Sequence, residues 1–193
     1  MSLPEELRDW RPLAAAFLKM KKERASGELF DRAEALLAER IKPSFVYLVS
    51  PVAPAEGGTF VTRAGLVVPG KDVARLLADY PFAALMCATL GEGAESAVRF
   101  ADAQDRALGL VTDAAASAMA ELEAEHAQKS VAEQAGAKAV SPRFSPGYGD
   151  LGLEIQKDLL LSLNAARRLG ISLSPGGLML PRKTVTAIFG VRL

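Results

Sequence analysis

The sequence predicts an α+β fold, a single domain whose mainly antiparallel or mixed twisted sheet is flanked by helices. Three observations carry that expectation. Two short β-like runs, TFVT and GLVV, stand only Arg63 and Ala64 apart and suggest a hairpin. From Glu95 to about Ala135 the chain is alanine-rich and helical in character. The end of the chain, TVTAIFGV, is rich in β-branched and aromatic residues and reads as a terminal strand. Strands separated by both hairpins and helices point to the α+β class.

Taken in order, residues 1–42 form an N-terminal helical segment and residues 43–193 the α+β core. Leu29, Phe30, Ala33, Leu36, Leu37 and Ile41 recur at three- and four-residue spacing, one stripe of a helix. Pro12, which lacks an N–H and fits best in a first turn, starts or interrupts the helix that precedes this stripe. Lys42-Pro43 ends the helical pattern, and SFVYLVSPVA follows as a strand. After the hairpin, KDVARLLADY is a short helix and FAALMCATL a buried strand. GEGAES then opens the next helix with negative charge where the helix dipole favours it. In the long alanine-rich helix, Val98, Ala101, Leu108, Val111, Ala115, Ala118 and Leu122 are expected on the buried side. A third amphipathic helix places Ile155, Leu159, Leu163 and Ala166 on one face, with Arg167 and Arg168 in its last turn and Gly170 as its cap.

Composition removes several function classes. Lys and Arg number 23 against 23 Asp and Glu, so no global field favours nucleic acid or an anionic membrane. The longest apolar runs fall well short of the roughly 20 residues needed to span a bilayer. The acidic N-terminus MSLPEELRDW is unlike a signal peptide, and the single cysteine, Cys87, permits no internal disulfide. A soluble cytoplasmic protein is expected. With His126 the lone histidine, a His/Cys zinc cluster cannot be built, and no metal ligand is assigned. Cys87 sits in an apolar run where a thiol is inert, and His126, following Glu121, Glu123 and Glu125, is expected on a solvated helix face. Dinucleotide and P-loop fingerprints are absent.

One stretch differs in kind. In SPRFSPGYGD, residues 141–150, Pro142 and Pro146 fix φ and remove donors, while Gly147 and Gly149 permit positive φ, so the backbone is held in one irregular path. Arg143 can grip a carboxylate or phosphate through its planar fork, and Tyr148 offers a flat face with a polar tip. The combination suits a small ligand with a carboxylate and a ring. A tight turn, with Arg143 paired to a surface acid and Tyr148 plugging the core, is the alternative that residue types leave open. A second glycine-rich stretch, LSPGGLMLPRKTVTAIFG, places Arg182 and Lys183 before the last strand and reads as a turn followed by a basic strand edge.

The succession RFSPGYGD, LEIQKDLLLSLNAARRLGISLS and LMLPRKTVTAIFG resembles the activation (reactivation) domain of vitamin B12-dependent methionine synthase, in the short stand-alone form of that family. CATLGEGAES and VTDAAASAMAELEAE extend the resemblance upstream, and RDWRP, with Asp9, is similar to an Asp-Trp segment near the start of the large members. The resemblance implies that the RxxxGY pattern of Arg143, Gly147 and Tyr148 binds S-adenosylmethionine. Arg143 would hold its carboxylate, backbone groups of Ser145, Pro146 and Gly147 would contact it, Tyr148 would pack near the sulfonium or the cobalt face, and Glu121 would partner the cation. It further implies a partner, a cobalamin-dependent methionine synthase or corrinoid protein, whose cob(II)alamin is reductively methylated with an electron from a flavoprotein or similar reductant. A non-catalytic scaffold or regulator responsive to S-adenosylmethionine is the alternative, because a chain of this size carries no cobalamin-binding module.

Overall fold

The hairpin expected between residues 54 and 70 forms one edge of a six-stranded sheet in the computed structural model, which describes residues 2–193. The strands are β1 (Ser44–Ala55), β2 (Gly58–Val61), β3 (Leu66–Pro69), β4 (Phe82–Thr89), β5 (Ala139–Val140), β6 (Ser172–Leu173), β7 (Met179–Leu180) and β8 (Thr184–Arg192). The main sheet runs β3-β2-β1-β4-β8-β5, and β6 pairs with β7 apart from it. β1 and β2, β2 and β3, and β5 and β8 pair antiparallel. β4 lies inside the sheet and is buried at every residue after Phe82, which is why FAALMCAT reads as an unbroken apolar run rather than an alternating one. Burial pushes the Cys87 thiol up to about 12, leaving it protonated and inert as expected.

The helices are α1 (Trp10–Phe17), α2 (Glu28–Arg40), α3 (Lys71–Leu77), α4 (Glu92–Gln104), α5 (Arg106–Gln134), α6 (Gln156–Ser162) and α7 (Ala165–Leu169). Pro12 falls in the first turn of α1. The single long helix expected from Glu95 to Ala135 is two. Asp105 adopts extended backbone (φ −157°), and its Oδ1 accepts the N–H groups of Ala107 (2.6 Å) and Leu108 (3.1 Å), capping α5 as a new helix. Ala101, Leu108, Val111, Ala115 and Ala118 are buried as expected, whereas Val98 and Leu122 are only half-buried. The third amphipathic helix is also broken. Asn164, in left-handed backbone (φ +51°), separates α6 from α7, and the shift in register buries Ala165 and leaves Ala166 exposed. Gly170 caps α7 in the expected left-handed conformation.

The chain groups into two units, each drawing on several stretches of sequence. One holds the chain up to Ser44 with Ala88–His126 and Leu180–Thr184; the other holds Phe45–Cys87, Ala127–Met179 and Val185–Leu193. In the first, Trp10 is fully buried, stacks on Phe30 with ring centroids 5.9 Å apart, and donates its indole N–H to Glu34. In the second, one apolar cluster joins the strands to the helices, with Val46, Val68, Leu85, Leu159 and Ile188 among its members. Among the described residues, no helix is long and apolar enough to cross a membrane.

Candidate functional site

Residues 141–150 belong to the second unit, and their path is set by β8. Val140 stands opposite Val191, and Ser141 N–H donates to the Gly190 carbonyl at 3.0 Å. The Ser141 hydroxyl accepts the Gly190 N–H in return at 2.8 Å. Farther on, Phe144 faces Ile188 and the two exchange both backbone bonds at 2.8 Å. The loop side therefore takes four steps where β8 takes three, which is a β-bulge containing Pro142 and Arg143. Pro142 has no N–H to offer the ladder, so the extra residue falls where pairing would fail in any case. A bulge redirects the side chains it contains, and Arg143 is half-buried there rather than standing in open solvent.

Two turns follow without a break. Tyr148 N–H donates to the Ser145 carbonyl (3.3 Å), enclosing Pro146 and Gly147, the latter at φ +91°. Proline at the second position and a positive-φ glycine at the third are the chemistry of a type II turn. Leu151 N–H then donates to the Tyr148 carbonyl (3.0 Å) around Gly149, and the Gly147 N–H reaches the Leu151 carbonyl at 2.7 Å, closing the loop on itself. At Gly149 (φ +52°) a side chain would collide with the Asp72 carboxylate and press on the Phe144 ring. Asp150 fastens the far end, accepting the backbone N–H of Lys71 (2.6 Å) and of Asp72 (3.2 Å) at the start of α3. Those bonds, the one from Lys71 foremost, hold its carboxyl below the ordinary 3.8.

The site residues named from the sequence divide as follows. Arg143, Ser145, Pro146, Gly147 and Tyr148 come together as one bulged double turn, with Pro146 buried, Ser145 half-buried and Gly147 exposed. Tyr148 is 69% exposed, so it does not plug the core. Glu121 is exposed on α5 in the first unit. Clefts of about 640 Å³ beside β1, β2 and α3, about 200 Å³ beside α6 and β6, and about 140 Å³ around Glu95 and Arg182 are not lined by the loop.

Sequence reasoning missed two polar clusters in the first unit. Lys183 is not a basic strand edge: it is buried and pairs with the Asp113 carboxylate (2.8 Å), the Ser117 hydroxyl (2.7 Å) and the Asp113 carbonyl (3.1 Å). The spacing of Asp113 and Ser117 by one helical turn was its only signal. His126, expected on a solvated face, is half-buried and faces Glu123, which is 2% exposed, with Glu6 beside them. Burial, reinforced by the charge of Glu6, pushes the Glu123 carboxyl up to about 7.

The sheet order and the flanking helices define the class as an α+β fold. One solved structure that shares it is a crystal structure of the MetH reactivation domain bound to AdoHcy (S-adenosylhomocysteine), which matches this chain with a TM-score of 0.71 over 95% of this chain and 74% of the other, at 16% sequence identity. No family model matches the sequence, and no curated protein does.

Proposed function

We propose that this chain binds S-adenosylmethionine through residues 143–148 and acts, in the cytoplasm, as a reactivation subunit for a separate cobalamin-dependent methionine synthase or corrinoid protein. The observation that carries the reading is the bulged double turn of RFSPGYGD, in a chain whose fold is shared by a domain solved with AdoHcy. The residues suit the ligand. A half-buried Arg143 in the bulge offers a restrained planar fork to a carboxylate. The exposed ring of Tyr148 gives an apolar face and a π surface for a sulfonium. Gly147 has no side chain to keep a ligand from the backbone. Glu121, which the resemblance assigns to the cation, is an exposed residue of α5 in the first unit.

When bound, S-adenosylmethionine supplies a methyl group that the partner's cob(II)alamin takes up with one electron from a flavoprotein or similar reductant, leaving S-adenosylhomocysteine. This chain's part is to bind and orient the methyl donor, through Arg143 at its carboxylate and Tyr148 beside its sulfonium. Isothermal titration should show S-adenosylmethionine binding that Arg143→Ala removes; unchanged affinity in that variant overturns the assignment. A second reading, a non-catalytic scaffold or regulator responsive to the same ligand, is favoured by the position of the loop outside the three clefts described above. Reconstitution with a corrinoid protein held as cob(II)alamin separates the two. Methylcobalamin recovery that requires this chain, S-adenosylmethionine and a reductant supports the reactivation subunit, and recovery independent of the chain supports the regulator.

A further inference from the structure

The Glu6–Glu123–His126 trio has a composition and geometry that the loop does not explain. Glu6 comes from the 3-10 turn Glu5–Leu7, while Glu123 and His126 lie three residues apart on one face of α5, all within the first unit. The His126 Nδ1 stands 3.6 Å from the Glu123 Oε2 and 3.9 Å from the Glu6 Oε1, and one ligating atom from each of the three falls within 4.8 Å of the others. The Glu123 side chain is 2% exposed, and its Oε2 faces the imidazole with no hydrogen-bond partner. A separation of 3.6 Å is too long for a hydrogen bond. It is close to the roughly 3.3 Å between two nitrogen or oxygen ligands that each stand about 2.0 Å from one tetrahedral ion. A buried carboxylate is costly unless it is paired or coordinated, and a dication would also offset the repulsion between Glu6 and Glu123. The outer side is accessible, because the Glu6 and His126 side chains are 31% and 37% exposed, which leaves an entry path and room for water ligands.

We propose that Glu6, Glu123 and His126 form a binding site for a divalent transition-metal ion, with solvent completing the coordination. One imidazole with two carboxylates suits zinc or cobalt, whereas calcium and magnesium take shells of oxygen alone. An ion held there joins the N-terminal turn to α5 through three side-chain ligands, and its consequence is structural.

The test uses the untagged full chain, stripped with a chelator and dialysed. Zn²⁺ is titrated by calorimetry, and Co²⁺ is followed by its visible d–d absorption. Saturable binding of one ion per chain is expected, with a rise in melting temperature. Glu123→Gln, His126→Gln and Glu6→Gln should each weaken binding about tenfold or more. Glu133→Gln, exposed farther along the same helix, should bind like the parent. Circular dichroism reports whether each variant folds; should Glu123→Gln unfold, the half-exposed Glu6→Gln decides alone. Absence of saturable binding up to about 1 mM Zn²⁺, or unchanged affinity in Glu6→Gln, overturns the site.

Discussion

Residues 141–150 and the Glu6–Glu123–His126 trio place polar groups by opposite means. In the loop, backbone bonds to β8 and α3 set the path, and the side chains ride on it, Tyr148 being 69% exposed. In the trio, side chains meet because the N-terminal turn and α5 come together, and the decisive carboxylate is buried. A site built on backbone can change its side chains at little cost in stability, while a site built from buried charge is entangled with the fold.

Four measurements would break or sharpen that contrast. The largest effect is expected in the first unit's buried ion pair: Asp113→Ala leaves the buried Lys183 ammonium with only the Ser117 hydroxyl and a carbonyl. It should cost about 2 kcal/mol in urea unfolding, the figure being reduced because Asp113 is partly exposed. Next, Gly149→Ala forces a side chain into left-handed backbone against Asp72 and Phe144. A loss of about 1–2 kcal/mol, together with weaker S-adenosylmethionine binding, is expected from calorimetry. A smaller shift should come from Glu123→Leu, of opposite sign: removing a buried carboxylate should raise the stability of the metal-free chain by about 1 kcal/mol while abolishing Zn²⁺ binding. Smallest of all, Tyr148→Ala should leave stability within about 0.5 kcal/mol of the parent yet weaken S-adenosylmethionine binding. A stability loss there as large as that of Asp113→Ala would erase the contrast.

The loop's anchor adds a pH signature. Asp150 has a folded pKa below its ordinary 3.8 because it accepts backbone N–H groups at the start of α3. A depressed carboxylate contributes stability that is complete above the unfolded value and is lost as the pH falls through the folded one. Asp150→Asn should therefore flatten the acid limb of the stability profile below about pH 4 and leave neutral pH behaviour unaltered in slope, as read from urea midpoints across the range.

The loop was legible in the sequence because its determinants are contiguous: two prolines, two glycines and the residues between them dictate local conformation without help from afar. The terminal strand, the hairpin and the buried β4 were legible for the same reason, each being a local pattern of period or composition. What escaped was either a single residue acting against its neighbours or a contact between distant ones. Asp105 ends a helix inside an alanine-rich run whose propensity argues for continuity, and Asn164 does so by adopting a left-handed conformation. Lys183 and Asp113 are separated by 70 residues, and Glu6 lies on a different element from Glu123, so no window of sequence contains either pair. The bulge at Pro142 and Arg143 is intermediate: proline hinted at an interruption, but only the register against β8 reveals the extra residue.

The staple between the Ser141 hydroxyl and the Gly190 N–H, followed by the Phe144–Ile188 exchange, has a consequence for evolution. Because main-chain bonds and one serine fix the curve, positions 143, 145 and 148 can be varied together without redrawing it. A library randomised at those three codons should yield mostly folded members, with ligand preference as the trait that diverges among them. The curve of the backbone is thereby separable from the side chains proposed to meet the ligand.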